Sequence, residues 1–527
     1  MKKKIRIVVY VIFALVIVYF GVQWILESKI RNLVEKKIYE VTRGTVKAEV
    51  GSVSLRLISR SLWLKEVKIS SDTGAGLQNG LPLITAEGYL KKVGIRGIRF
   101  KKKDSVIYLR AKGVELDVSR LSADILKKSR DISAMDRNIP RLQLQIQKIA
   151  VRLGHIHCCE IEGRDSAEFR LQDFNGEVND WEMNTLSRNT GLPFSCRDLQ
   201  MALSSFHYSF GENSQVLEID SLKLQGAKGR FAVGNIRLMP RYGMYEFAEK
   251  APGHADWIRI KASGLRGEGF SLQKLMSERF IFIDSISLEK ASVSSFKNRQ
   301  IEQKARVKRL FYESVQEFSL PFAVRRVALN RVDVEYLELA KHGLSPGRIA
   351  FGDLRGIFYD LTNRPPSGQS FYTLRAEGRL MDQGKIQAVF RLPADSVKPA
   401  FEIAGEMGPL NLAVLNPILE PLAKIKVTSG HLEKMTFEIK GNSQKARVDM
   451  VFLYERLRIR IMKEKDGKLE TSSFLTTLAN GMIVKENNPD HRGIRKGEGW
   501  AERDPYRSQF NYLWKIMLEG LKKSVGL

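Results

Sequence analysis

The chain has 527 residues, and its 43 % of hydrophobic residues can bury a core, which excludes wholesale disorder. Its formal net charge of +27 comes from 86 Lys and Arg against 59 Asp and Glu. These cations are spread along the polar sides of strand-like segments rather than clustered on a recognition helix. We therefore predict that nucleic acid is not a partner, and that most of the charge is a solvated face, with anionic lipid as the functional alternative.

The N-terminus predicts a membrane anchor. Residues 1–6 are basic, and residues 7–26 are apolar except at Gly21 and Gln23. About 20 such residues, each rising 1.5 Å, cross a hydrocarbon core of about 30 Å. No small-residue cleavage site follows the run. We therefore expect a cytoplasmic segment at 1–6, a transmembrane helix at 7–26, and a single-pass protein whose remaining chain is translocated.

The helix is expected to continue as a juxtamembrane helix over 27–40. Apolar residues recur there at helical spacing and form one stripe. The stripe consists of Leu26, Ile30, Leu33, Val34 and Ile38. Such a stripe either docks on the body of the protein or lies on the membrane surface.

A pattern of interrupted strands follows. In "SLWLKEVKIS" two alternating apolar pairs are separated by two polar residues, Lys65 and Glu66. The same pattern returns in "VGIRGIRF", "LQIQKIAV", "LEIDSLKL", "ISLEKASV" and "VALNRVDV". Tight hairpins favour Asn-Gly, Asp-Gly or Gly-led pairs, which most of these segments lack. We therefore predict β-bulges, in which one extra residue returns the second half of the strand to the same face.

Repeated bulges at matched places would curve the sheet and keep one face dry. We therefore predict a mainly β fold with an elongated, curved, groove-like body: an N-terminal and middle region at 41–320, a C-terminal region at 321–485 and a loop at 486–504. The candidate groove lining is Leu62, Leu64, Val67, Ile69, Val93, Ile95, Ile98, Phe100, Leu144, Ile146, Ile149, Val151, Ile286, Leu288, Val327, Leu329, Val332 and Val334. The same residues could instead pack a closed core.

Short helices are expected near 119–129, 270–278, 303–317 and 410–423. The first and third lead into interrupted strands by a similar path, with Ile139-Pro140 and Leu320-Pro321 at matching positions. This similarity indicates a degenerate internal repeat of the kind found in stacked architectures.

The C-terminal segment 505–527 predicts an amphipathic helix with Ser508 as its N-cap. Its apolar stripe is Phe510, Leu513, Trp514, Met517, Leu518 and Leu521. This stripe either packs on the β body or lies on a membrane surface with its lysines at the interface.

Few motifs point to chemistry. "GLSPG" at 343–347 resembles a nucleophile elbow, but Pro346 lacks the backbone N–H that would hold an oxyanion. "HIHCCE" offers His155, His157, Cys158 and Cys159, and the His-x-His spacing puts both rings on one strand face. Ordinary strand residues, a disulfide to Cys196 and a metal site all stay open. We predict no catalytic residues and no cofactor, and we assign no metal ligands from the sequence.

Parts of the chain resemble the AsmA-like family of bacterial envelope proteins. The similar features are Leu415-Asn416-Pro417, Ser429-Gly430, Tyr454 with Leu457, the segment "VGSVSLRLISRSLWLKEVKI" and the terminal helix "WAERDPYRSQFNYLWKIMLEGLK". The resemblance implies an inner-membrane anchor and a β-rich periplasmic body.

Larger members of that family form grooves lined with apolar side chains and are implicated in moving phospholipid toward the outer membrane. The resemblance thus implies a non-enzymatic protein that binds or conveys phospholipid or another acyl lipid and contributes to outer-membrane lipid homeostasis. The alternative is a structural or regulatory envelope protein that binds protein partners through a filled β body.

Overall fold

A computed structural model of the chain describes residues 2–42, 44–71, 83–103, 106–126, 142–162, 165–184, 192, 194–210, 215–250, 256–301, 307–394, 400–465, 468–472 and 484–527. Strands account for 64 % and helices for 17 %, so the predicted mainly β fold with a curved sheet is confirmed, and the sheet is open.

The helices are α1 (Lys2–Val41), α2 (Met244–Lys250), α3 (Leu272–Glu278), α4 (Phe311–Gln316), α5 (Asn416–Ala423) and α6 (Gln509–Val525). The first strands are β1 (Val46–Arg56), β2 (Ser61–Ser71), β3 (Leu83–Arg96), β4 (Arg99–Lys103), β5 (Val106–Ala111), β6 (Gly113–Leu126), β7 (Leu142–Glu162), β8 (Asp165–Asn184), β9 (Phe194–Ser195), β10 (Asp198–Ser209), β11 (Gln215–Gln225) and β12 (Arg230–Pro240). The others are β13 (Trp257–Glu268), β14 (Ile281–Asn298), β15 (Phe322–Leu339), β16 (Gly347–Thr362), β17 (Phe371–Leu380), β18 (Gly384–Pro393), β19 (Phe401–Met407), β20 (Leu410–Asn411), β21 (Ile425–Gly441), β22 (Lys445–Lys465), β23 (Lys468–Thr471) and β24 (Lys496–Glu502).

The chain divides into two compact units, Met1–Phe231 with Leu272–Arg279, and Ala232–Ser271 with Phe280–Leu527. In the first unit the strands pair in the order β1, β2, β3, β6, β7, β8, β10 and β11. In the second unit β13 to β19 pair consecutively and are followed by β21, β22 and β24. Neighbours run antiparallel except β7 with β5 and β6, and β14 with β15.

Helix α1 does not support the predicted membrane anchor. None of the helices in the described ranges combines the length and the apolar content that a bilayer span requires. The side chains described for α1 begin at Tyr19 and become charged from Glu27 and Lys29 onward. The predicted anchor at 7–26 and the predicted single-pass inner-membrane localisation are therefore wrong.

The second half of α1 docks on the β body. Ile30, Val34 and Ile38 pack against a buried cluster formed by β1 and β2. Two carboxylates of the helix also accept backbone N–H groups of β1: Glu27 from Leu55 at 2.7 Å and Glu35 from Val50 at 2.8 Å. Strand β1 pairs with β2 on its other side, so these carboxylates satisfy donors that an edge strand would otherwise leave unpaired.

In the first unit, every strand of the main sheet has a residue at which the alternation of side chains between the two faces is interrupted. These residues form a row across the sheet. The ladders skip one residue of each strand at this level, except between β8 and β10, where Phe174 and Leu203 are skipped as well, and the register is the same on both sides of it. We call this the phase-break row. It consists of Gly51, Glu66, Lys91, Ser119, Gly154, Asp173, Ser204 and Ser221.

The phase-break row keeps apolar residues on one face. Val50 and Val53 lie on either side of Gly51, yet both are buried in the same cluster. Leu64 and Val67 flank the break of β2, and they also meet in that cluster. The prediction that doubled polar residues return a strand to its original face is therefore confirmed in β2.

The mechanism differs from the predicted single-strand bulge. Each break in the row faces another break on the neighbouring strand, so no net register shift arises. Glu66, Asp173 and Ser221 adopt positive φ values of 55°, 50° and 59° at this level. Single-strand register shifts occur elsewhere: between β3 and β6 at Leu83 and Thr85 in the first unit, and between β15 and β16 and between β21 and β22 in the second unit.

Three local predictions are wrong. The pattern at 93–100 is not one interrupted strand, because Gly97 (φ 64°) separates β3 from β4 and leaves Phe100 64 % exposed. The helix expected near 119–129 is part of β6 as far as residue 126, where the described range ends. The loop expected at 486–504 contains β24, which pairs with β22.

The second unit is filled. Its buried cluster extends over β16 to β24 and includes Ile418 of α5, Tyr312 of α4 and Ile516 of α6. Helix α6 lies close to β24 at Gly497, which has no Cβ. A Cβ added there would collide with the backbone of Gly520 on the helix. The predicted N-cap is present, since the Ser508 hydroxyl accepts the Asn511 N–H at 3.3 Å.

We predict that Gly154→Ala destabilises the first unit by about 1–3 kcal/mol, the range for forced overpacking. An added Cβ at this position of the phase-break row would collide with the Ser119 carbonyl oxygen on the adjacent strand. Urea denaturation followed by circular dichroism measures the change in unfolding free energy. Gly21→Ala is the matched control, because nothing lies within 4 Å of its Cβ and alanine favours the helix. Equal stability of the two variants would show that the strands do not approach closely at this break.

Candidate functional site

The strands β7, β8, β10 and β11 carry an apolar face that no other part of the described chain packs into a core. Its residues are Ile149, Val151, Leu153, Ile156, Phe169, Leu171, Phe174, Met201, Leu203, Phe206, Tyr208, Leu217, Ile219, Leu222 and Leu224. We call this set the open apolar face. All are half-buried except Leu171, which is 9 % exposed, and none belongs to a buried apolar cluster of described residues.

The register assembles this face in transverse rows. Ile156 lies opposite Leu171, which lies opposite Phe206 and, through it, Ile219. On the other side of the phase-break row, Leu203 lies opposite Leu222. Directly opposed residues share one face of a sheet. The apolar rows therefore continue on the same face across the break.

A gap interrupts one of these rows. Gly176 lies between Val151 and Met201 in register and contributes no side chain. The ring of Phe174 takes this space, because a Cβ added at Gly176 would lie 2.9 Å from it. A hollow in the same strands has a mostly polar lining, which includes Arg152, Glu177 and Lys223.

Four of the predicted lining residues lie on β7. Leu144 and Ile146 precede a second break, at which the ladder skips Gln147 opposite Asp180, and Ile149 and Val151 follow it. All four are half-buried, and Ile149 and Val151 belong to the open apolar face. The sequence identified this strand, but it did not identify the partner strands β8 and β10.

The predicted lining residues of β2 lie in a different environment. Val67 is 4 % exposed, and Leu62 and Leu64 pack against its cluster beneath α1. Ile69 packs against the neighbouring cluster. This part of the sheet is closed. Val93 and Ile95 lie opposite Leu64 and Leu62 and are half-buried, as is Ile98 in the turn after β3.

The remaining predicted lining residues pair side by side in the second unit. Ile286 lies beside Val327, and Leu288 lies beside Leu329, in the parallel ladder of β14 and β15. Val332 and Val334 continue the row on β15. All six are half-buried, and none belongs to the filled cluster of that unit.

A basic hollow lies next to Ile146. Arg99 and Arg110 are directly opposed in register, and the hollow is lined by both, by Lys112 and Trp181, and by the carboxylates of Asp180 and Glu182. Like charges opposite each other destabilise a strand pair. Among the described residues neither guanidinium has an ion-pair partner, so an anion would relieve this repulsion.

The polar side of β7 and β8 brings together His157, Cys159 and Glu168, whose ligand atoms lie within 4.8 Å of one another. Burial raises the pKa of Glu168, but hydrogen bonds from Arg170 and His157 outweigh it and hold that pKa below its usual value. Burial raises the pKa of Cys159, which stays a thiol at neutral pH. The structure contains no disulfide among the cysteines, which are all free.

The C-terminal stripe predicted for a membrane surface mostly faces the body. Phe510, Leu513, Met517 and Leu521 pack against the filled cluster of the second unit. Trp514 and Leu518 are half-buried and do not belong to it. Helix α6 therefore presents most of its apolar side to β22 and β24.

A scan against protein-family models and a search of curated proteins give no match to this chain. The assignment to the AsmA-like family stays a prediction from the resemblance.

We predict that Val151→Ala changes the unfolding free energy by less than about 0.7 kcal/mol, because its side chain lies in the open apolar face. Val67→Ala removes the same atoms from a buried cluster of the same unit and should cost about 2 kcal/mol, since cavity and transfer terms add there. Urea denaturation of both variants measures the difference. Equal costs would mean that the face around Val151 is covered in the folded protein.

Proposed function

We propose that the protein binds an acyl lipid along the open apolar face, with the tail on the apolar rows and the head group beside the basic hollow. The observation that carries this proposal is the half-buried state of the apolar rows, which continue on one face through a break in every strand. A monomeric protein rarely leaves a contiguous apolar patch of this extent unpartnered, and such patches mark binding sites.

The size of the face suits a lipid tail. The strands β7, β8, β10 and β11 are neighbours, and three inter-strand spacings of about 4.8 Å give a width of about 14 Å. Each methylene transferred from water contributes about 0.8 kcal/mol, so ten methylenes contribute about 8 kcal/mol before ordering costs. No covalent chemistry is needed for such binding.

The basic hollow supports an anionic head group. Arg99 and Arg110 repel each other across the hairpin of β4 and β5, and a phosphate between them would accept hydrogen bonds from both guanidinium groups. Ile146 and Trp181 line the same hollow. By register, Arg99 and Arg110 share a face with Gln145, whereas Ile146 and Trp181 share the face of the apolar rows. The proposed lipid would therefore pass from the apolar face to the cations at this hollow.

The resemblance to the AsmA-like family supports the same proposal independently of the geometry. Its larger members are implicated in conveying phospholipid, and we extend the proposal to conveyance in outer-membrane lipid homeostasis on that ground alone. The open apolar face supplies the dry surface that conveyance needs.

A protein-binding role without lipid is the second candidate, and the filled core of the second unit favours it. That unit buries its apolar residues beneath α4, α5 and α6. A structural or regulatory protein that binds envelope partners would need a body of this kind and no lipid.

We predict that benzoylphenylalanine placed at position 151 cross-links to lipid when the full chain is irradiated with phospholipid vesicles. Position 152 is the matched control, because Arg152 is the next residue on β7 and its side chain points to the polar face, where it lies 3.9 Å from Asp117. Mass spectrometry of the adducts identifies the cross-linked molecule. Equal lipid labelling at both positions would contradict the proposal, and protein adducts alone at position 151 would favour the second candidate.

We predict that Arg110→Gln weakens binding to anionic vesicles about fivefold, since a cation near an anionic surface contributes about 1 kcal/mol. Lys228→Gln makes the same change in net charge at an exposed turn of the same unit and should weaken binding less than twofold. Co-sedimentation with vesicles of phosphatidylglycerol and phosphatidylcholine measures both. An equal loss in the two variants would show that net charge, rather than the hollow, attracts the lipid.

A further inference from the structure

The polar face of β7 and β8, opposite the open apolar face, holds a group of side chains that neither lipid binding nor the fold requires. His157 and Cys159 are two residues apart on β7, so their side chains point to the same side of the sheet. Glu168 lies directly opposite Cys159 on β8. The site lies close to the phase-break row, which crosses these strands at Gly154 and Asp173.

The distances suit a tetrahedral metal ion. Cys159 Sγ lies 3.6 Å from His157 Nε2, which lies 2.9 Å from a carboxylate oxygen of Glu168. Bonds of about 2.0–2.3 Å place the ligand atoms of a tetrahedral zinc site roughly 3.3–3.8 Å apart. The first distance already matches, and the second needs to lengthen by about half an ångström.

A further contact orients the imidazole. His157 Nδ1 lies 3.4 Å from the Ser122 hydroxyl on β6, which leaves Nε2 directed at Cys159 and Glu168. Metal-binding histidines usually engage their second ring nitrogen in such a contact, which fixes the tautomer and the ring orientation. His207 on β10 lies on the same side, with its Nε2 3.7 Å from the other Glu168 oxygen.

We propose that His157, Cys159 and Glu168 bind a zinc-class transition-metal ion, with the fourth position taken by water or by His207. Imidazole, thiolate and carboxylate are all zinc ligands, and the mixture of nitrogen and sulfur disfavours magnesium and calcium. On binding, the thiol proton of Cys159 leaves to solvent and the sulfur bonds to the metal.

Arg170 is the competing partner. Its guanidinium forms an ion pair with Glu168, so the metal must displace this contact to reach the carboxylate. Asp124 lies opposite Cys159 on β6 and adds negative charge on the other side. The ion would connect β7 with β8 on the face opposite the lipid and would hold the two strands together beside their breaks.

Cobalt titration of the full chain tests the proposal. The protein carries no histidine tag, is treated with a chelator and kept reduced, and then receives Co²⁺ as the probe. We expect one equivalent to bind with a thiolate-to-cobalt charge-transfer band in the near ultraviolet, and Zn²⁺ to displace it. Binding without that band in the unmodified protein would overturn the assignment.

The variants locate the ligands. Cys159→Ser should abolish the charge-transfer band, whereas Cys158→Ser, one residue away on the opposite face, should retain it. His157→Gln should weaken binding at least about 100-fold, because even outer-shell partners contribute 10- to 100-fold. Retention of the band in Cys159→Ser, with its loss in Cys158→Ser, would place the metal elsewhere. Should Cys159→Ser fail to fold by circular dichroism, Glu168→Gln provides the second test, and unchanged affinity there would also overturn the proposal.

Discussion

The matched interruption of alternation in neighbouring strands is the constraint on which the first unit depends. A strand exposes its side chains with a period of two, so an extra residue must leave the ladder if the second half is to keep its face. Here the residue is added at one level in every strand of the main sheet, and the ladders resume in the same register. Three of these positions have positive φ, which Asp, Ser and Glu tolerate better than β-branched residues. The apolar side chains therefore lie on one face of the sheet. Helix α1 packs on one part of that face, and the open apolar face is another part of it.

The two units use their dry faces differently. In the first, α1 covers the part formed by β1 and β2 and leaves the rows of β7 to β11 half-buried. In the second, α4, α5 and α6 complete a packed core. Two of the residues that carry the family resemblance stabilise this packing. The Asn416 side-chain amide donates to the Val427 carbonyl and accepts from the Val427 N–H. The Tyr454 hydroxyl donates to the Lys485 carbonyl. They explain why α5 and the C-terminal segment are fixed, and they identify no ligand.

The sequence predicted the β class and the interrupted strands because polar pairs are a local signal. β7 and β15 each run parallel to an earlier strand, but Ile139-Pro140 on the path into β7 lies outside the described residues, so the internal repeat stays a prediction. The prediction of a helix near 119–129 was wrong because the break at Ser119 interrupts the strand pattern. Without that break, the alternation through Leu121, Ala123 and Ile125 would have indicated a strand. The anchor was predicted from hydropathy alone, without the carboxylates through which α1 binds β1. Glu168 was missed as a partner of His157 because the pairing joins residues on different strands.

The phase-break row also restricts how this protein can change length. An insertion or deletion in one strand, between the row and either end of the sheet, turns the residues beyond it to the wrong face unless the ladder absorbs the change as a bulge. A strand of the first unit that gains or loses a residue therefore needs either a matching change in its neighbours or a local register shift, such as the one between β3 and β6 at Leu83 and Thr85. Substitutions of single amino acids carry no such requirement.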